Sequence, residues 1–424
     1  MGMSALDRIP PVPSAAALDA PTSSISTSPV SVSRPTSRNL ALDVFRGLAL
    51  VTIFINHMPF NPWYWATPSR FGLSDATEVF VFISGCVAAL AYGRRWLRDG
   101  WKRSTGRVAT RIAQIYAAHL LMFAVLLTLC VAGNRLATGH DYVQDLNLTY
   151  ALTHMREAAL GLMTLTYVPN YFDILPMYLV IVAMVPVILA IGRYSARLAV
   201  LVPLALYALA HLYRWELPAE PSSDRSWYFN PLCWQLIFFT GFAFGAGYLR
   251  VPRPRVWLLA LCSFTLAASA LIEYGATYFG NPHLNSWRNA LAPYADKSHL
   301  DLLRVIHFLM LAYVVSCALR LPRLHKLLHS WPARQLARMG RNGLSMFVLV
   351  MIGSYVGGMA LDVWGRSPLP VALINLAGLS LMMMSAAALE RYDLWAHQAN
   401  SQTSRPQPAT AELPTAPIAA PLTA

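Results

Sequence analysis

The stretch Met177–Ile191, MYLVIVAMVPVILAI, carries no charge and is apolar at every position a helix or a strand could present. A strand of a membrane barrel alternates apolar and polar residues over about ten positions, so a run without alternation reads as a helix surrounded by apolar groups. Leu120–Val131 and Val371–Leu389 repeat the pattern. A hydrocarbon core of roughly 30 Å needs about 20 residues at about 1.5 Å each. On that measure the chain shows about ten spans, at 44–64, 75–93, 110–132, 172–192, 196–213, 229–249, 256–273, 301–319, 342–360 and 368–389.

Composition agrees with an all-α polytopic membrane protein. Of 424 residues, 56% are hydrophobic and 12% charged, against about 25% charged in soluble domains. A net charge of +13 on a soluble chain would suggest nucleic acid, but here the cations follow the loops. With the N-terminus in the cytoplasm, inner segments hold about 24 of the 33 Lys and Arg residues, as the positive-inside rule requires. The outer segments hold most of the acids, and an even number of spans returns the C-terminus to the cytoplasm. Membrane lipid, and no nucleic acid, is therefore the expected surrounding. Segment 144–166, with Asp145, His154, Arg156 and Glu157, reads as an outer amphipathic helix.

The expected domains are a disordered cytoplasmic tail over 1–38, one membrane domain over 39–390, and a second disordered tail over 391–424, both tails rich in Pro, Ser, Thr and Ala. The first span is expected to act as an uncleaved signal anchor. All five cysteines fall in apolar spans and read as small buried hydrophobes, with no metal-ligand spacing. There is no phosphate-binding glycine loop, dinucleotide fingerprint or nucleophile elbow.

Ionisable residues inside spans are costly, and so point to function. In the first span Arg46 and His57 stand eleven residues apart, about three helical turns, hence on one face and roughly 16 Å apart along the axis. Arg46 is an interfacial anchor or a group for an anionic ligand at the inner mouth. His57 is a helix-to-helix hydrogen bonder or a general base. Ser74-Asp75-Ala-Thr77-Glu78 opens the second span, Ser74 reading as its cap; Glu78 is expected to reach His57 and hold the imidazole. Asp173 reads as a cap or as a carboxylate for hydroxyls. Asn230 before Pro231 reads as cap and first-turn proline. Trp234 and Gln235 behind them offer a stacking face and an amide for a sugar. Asp301, Arg304 and His307 enter the eighth span together, the first two spaced to pair. Arg103, Arg107 and Arg111 recur every four residues at the inner end of the third span, an ordinary inner loop or a phosphate-binding stripe.

Three motifs carry a resemblance: Asp43-x-x-Arg46-Gly-Leu, the Arg46-x10-His57 spacing, and Ser74-Asp75-Ala-x-Glu78-Val-Phe-Val-Phe-Ile-Ser84-Gly85, supported by Leu175-Pro-x-Tyr178 and Asn230-Pro-x-x-Trp234-Gln235. From about Asn39 to Glu390 the chain resembles the OpgC family, succinyltransferases of osmoregulated periplasmic glucans within the acyltransferase-3 superfamily. The resemblance implies a ten-helix enzyme of the bacterial inner membrane. It would take an acyl group, succinyl by the family's name, from cytoplasmic acyl-CoA to a hydroxyl of a periplasmic glycan, with acyl-CoA as co-substrate and no bound cofactor. It puts Arg46 and His57, with Asp75 and Glu78, in the catalytic site. Asp173, Trp234, Gln235, Asp301, Arg304 and His307 are then candidates for substrate, and Arg103, Arg107 and Arg111 for CoA phosphates. Arg304, Gln235 and Asn56 are the candidates for stabilising an oxyanion. The competing reading is a transporter of a small anion or lipid-linked sugar, which would also keep buried charge but often shows inverted repeats, absent here.

Overall fold

The structure, a computed structural model, describes residues 37–136 and 139–403. Nearly all of the expected tail 1–38 lies outside the described residues, as do 404–424. Among the described residues every regular element is a helix.

The first helix, α1 (Ser37–His57), stops seven residues before the expected end of its span at residue 64. Pro59 is the reason: it lacks an N–H and pushes Met58 out of helical geometry. Chain beyond it turns through a short 3₁₀ helix, Pro62–Ala66, capped by Asn61. Asn61 also exchanges amide hydrogen bonds of 2.9 and 3.1 Å with Asn375, tying this turn to the last helix. The next helix, α2 (Ala76–Ala88), runs on through a π turn at Ala89–Gly93. Its cap is Asp75 rather than Ser74. Asp75 accepts from Thr77 N–H at 2.7 Å while Glu78 accepts from Asp75 N–H at 2.8 Å, a reciprocal capping box.

The third helix, α3 (Arg94–Gly133), is broken at Gly100, whose φ of 77° only glycine adopts without strain. In place of one amphipathic helix over 144–166 stand three short ones, α4 (Tyr142–Asp145), α5 (Thr149–Thr153) and α6 (Met155–Thr164). Asn147 at φ 55° and the non-helical His154 divide them. Then come α7 (Ile174–Tyr194), α8 (Ala196–Leu212) and α9 (Pro231–Ala246); the last has the expected Asn230 cap, which accepts from Leu232 N–H at 3.0 Å. The remainder is α10 (Val256–Thr277), α11 (Pro282–Leu291), α12 (Leu302–Ala318), α13 (Pro322–Leu328), α14 (Trp331–Arg341), α15 (Gly343–Trp364) and α16 (Pro368–Thr403). The helix α16 continues well past Glu390, where the sequence predicts a tail.

Among the described residues seven helices are long and apolar enough to cross a membrane, or eight if the pair α12 and α13, bent by 97°, counts as one span. The chain is thus a multi-pass membrane protein. The helices α8 and α9 are apolar but only 17 and 16 residues long, which is where the sequence's ten spans and the structure's count part.

Helix α9 is buried nearly all round, and it meets α2 at a pair of small residues. A Cβ on Gly85 would stand 1.9 Å from the Phe238 carbonyl oxygen, and one on Gly241 2.1 Å from that of Phe82. Backbone on both sides leaves nothing flexible to yield, as in small-residue contacts between membrane helices generally. Gly85→Ala is expected to lower stability by about 2 kcal/mol or more through overpacking. Thermal unfolding in detergent tests this: a melting curve equal to wild type would refute the close contact.

Candidate active site

His57 ends α1 at the wall of a cavity of about 1000 Å³. The helices α1, α2, α7, α8 and α15 and the segments 225–229 and 293–301 contribute to its wall. Nδ1 of His57 lies 3.0 Å from the Ile53 carbonyl oxygen. A carbonyl can only accept, so Nδ1 carries the proton of the neutral ring and Nε2 is left as a bare lone pair. The Tyr171 ring stands edge-on to the imidazole at 5.2 Å and its hydroxyl donates to the His57 carbonyl at 3.4 Å. The ring is therefore oriented by backbone and by an aromatic edge, with no hydrogen bond from Glu78 among the described residues.

Glu78 is committed elsewhere. It is fully buried; Oε1 accepts from Arg304 Nε at 2.8 Å and Nη2 at 2.5 Å, and Oε2 closes the capping box. Arg304 pairs with Glu78, not with Asp301 three residues before it. Asp75 accepts from Lys297 Nζ at 2.6 Å and lies 3.7 Å from Arg304. Two carboxylates and two cations, from the start of α2, α12 and the 293–301 loop, thus alternate in one cluster in which Glu78 and Arg304 are buried and Asp75 and Lys297 partly so. Burial alone would make the Lys297 ammonium easier to deprotonate, but Asp75 and Glu78 outweigh it and hold its pKa above the usual lysine value.

Among the candidate residues picked from the sequence, Asn56, His57, Asp173 and Asp301 line the cavity. Asp173 stands at the N-cap position of α7 but its side chain makes no capping bond; it accepts from Tyr228 N–H at 3.0 Å and so holds an aromatic segment in place. Asp301 accepts from Asp296 N–H at 2.9 Å and faces His211 at 3.5 Å. Trp234 and Gln235 are buried away from the cavity: the indole donates to the Lys297 carbonyl at 3.0 Å and the amide to the Pro203 carbonyl at 2.7 Å. The aromatic wall is Trp227, Tyr228 and Phe229 instead.

His307 is likewise inside the packing. Its Nδ1 accepts from Ser74 N–H and O–H at 3.3 and 2.7 Å, Nε2 donates to Ser269 Oγ at 2.9 Å, and that hydroxyl donates to the Leu266 carbonyl. The donor-acceptor chain closes with neutral imidazole and has a structural role.

Arg46 sits about three turns before His57 on α1, as its spacing requires. Its Nη1 donates to the Gly340 carbonyl at 3.4 Å and Nη2 to Ser84 Oγ at 3.5 Å, while Nε is buried with no partner among the described residues. Arg103, Arg107 and Arg111 all lie on α3 beyond Gly100 and outside the cavity. Arg107 is ion-paired with Asp99, Arg111 donates to Gln114 at 3.2 Å, and Arg103 is exposed.

Sequence reasoning missed Lys297, Tyr171 and the aromatic run 227–229. Lys297 had a signal: it is the one lysine of the sequence in an expected outer segment. Tyr171 had none, since only packing brings it to His57.

The model of a family described as OpgC protein matches residues 38–394. No curated protein and no solved structure matches the chain.

Proposed function

The chain belongs to the OpgC family, and on that premise we propose that it is a membrane O-acyltransferase, moving succinyl from cytoplasmic acyl-CoA to a hydroxyl of a periplasmic glucan. The observation that carries this reading is the bare Nε2 of His57 at the wall of a cavity lined by polar and aromatic groups. A histidine so disposed takes a proton from an incoming hydroxyl. Its oxygen then attacks the thioester carbonyl, and coenzyme A leaves as the thiolate. The aromatic run 227–229 suits stacking against sugar C–H faces, and Asp173, Asp296 and Asp301 suit acceptance of hydroxyl hydrogen bonds.

This reading has ten spans, α8 and α9 included, with both termini in the cytoplasm of a bacterium and the cavity open to the periplasm. Arg46, and Arg103 and Arg111 on α3, are the cations for the phosphates of CoA, Arg107 joining them if it leaves Asp99. Asp75 and Glu78 act through Lys297 and Arg304 rather than on His57.

The test is transfer of radiolabel from succinyl-CoA to periplasmic glucan by the purified chain in proteoliposomes. Labelled glucan supports the reading. Intact acyl-CoA with accumulation of glycan or anion inside the vesicles would replace it with the transporter reading.

A further inference from the structure

A thioester carbonyl attacked beside His57 gathers negative charge on its oxygen, and that charge needs a donor already in place. Arg304 and Gln235 are spent, on Glu78 and on the Pro203 carbonyl, and neither lines the cavity. Asn56 lines it as a neutral amide. Lys297 differs from all three. An ammonium has three N–H donors, and among the described residues Asp75 is its one hydrogen-bond acceptor. Within the charged cluster the Lys297 side chain is 27% exposed, against 10% for Arg304 and 0% for Glu78.

We propose that Lys297 is a catalytic residue of the acyl transfer, receiving the negative charge that develops on the acyl carbonyl oxygen, with Asp75 as its positioning group. The proposal rests on the acyltransferase reading above. The lysine is set rigidly: its carbonyl accepts from the Trp234 indole, the next carbonyl, of Ser298, accepts from Asn230 N–H at 3.1 Å, and Nζ stands 5.7 Å over the Phe229 ring. Lys297 and His57 line the same cavity.

The charge balance favours an oxyanion over a carboxylate as the partner. Asp75, Glu78, Lys297 and Arg304 together are formally neutral. The reacting pair is neutral too: the hydroxyl proton passes to His57 Nε2, the oxygen bonds to the carbonyl carbon, and the C=O pair moves onto the oxygen beside Lys297. Collapse reforms C=O and breaks C–S, and the proton on Nε2 goes to the departing thiolate. A permanent carboxylate held at Lys297 would leave a buried negative charge without a counterion.

The experiment compares wild type, Lys297→Gln, Lys297→Arg and Lys297→Ala, full-length in proteoliposomes, by kcat and KM for succinyl-CoA. Lys297→Gln is expected to lose about 10²- to 10³-fold in kcat with little change in KM. Lys297→Arg should retain most activity, and added methylammonium should restore part of it to Lys297→Ala. Should Lys297→Gln not fold, Asp75→Asn with Lys297→Gln strands no charge and must show the same kcat loss. A kcat at the wild-type level, or a loss confined to the KM for succinyl-CoA, overturns the proposal. A wild type that transfers nothing overturns the acyltransferase reading itself.

Discussion

His57→Ala is expected to lower acyl transfer about 10²- to 10⁴-fold, the range that removal of a general base produces. The side chain closes no packing core: it sits at the cavity wall, held by one backbone hydrogen bond and one ring edge. Its removal should therefore change kcat and leave the melting temperature close to wild type. Since Arg46 lies about three turns away, KM for acyl-CoA should change little. His57→Gln is informative beside it, because an amide can donate to the Ile53 carbonyl but cannot take up a proton, and its kcat should fall as far as that of alanine. Transfer measured in proteoliposomes checks both variants. Substantial turnover by either would remove His57 from the chemistry.

Arg304→Met is expected to destabilise the protein by about 3–5 kcal/mol, because it strands the Glu78 carboxylate without its counterion. Glu78 is fully buried, and both guanidinium contacts to Oε1 would go at once, leaving the Asp75 N–H on the other oxygen. Adding Glu78→Gln removes the stranded charge and should recover much of the loss, a coupling that a double-mutant cycle measures. Unfolding followed by intrinsic fluorescence in detergent gives the four stabilities. Equal melting of Arg304→Met and wild type would mean that the pair does not hold α2 to α12. Because Asp75 shares this cluster with Lys297, the single variant should also lose activity, and the double variant should regain less activity than stability.

Much of the membrane architecture was legible in the chain. Ten apolar segments were visible, and all ten appear as apolar helices or helix pairs, though α8 and α9 fall short of a full span. Boundaries were less legible: α1 ends early because Pro59 acts on its local backbone, and α16 runs long because polar residues remain compatible with helix outside lipid. The Asn230 cap and its proline were read correctly, since a capping pattern is confined to a few adjacent residues.

Which residues carry charge inside the spans, and that Arg46 and His57 share a face, are properties of one segment, set by hydropathy and helical period. The sequence by itself determined those. What Glu78 touches is another matter: its partner Arg304 is 226 residues away, and helical period says nothing about which neighbour a face will meet. For the same reason Trp234, a sugar platform by residue type, turns out to hold the Lys297 loop. Only the tertiary structure decided that Asp75 would meet Lys297, because a buried charge must find its counterion among whatever groups helix packing brings within reach.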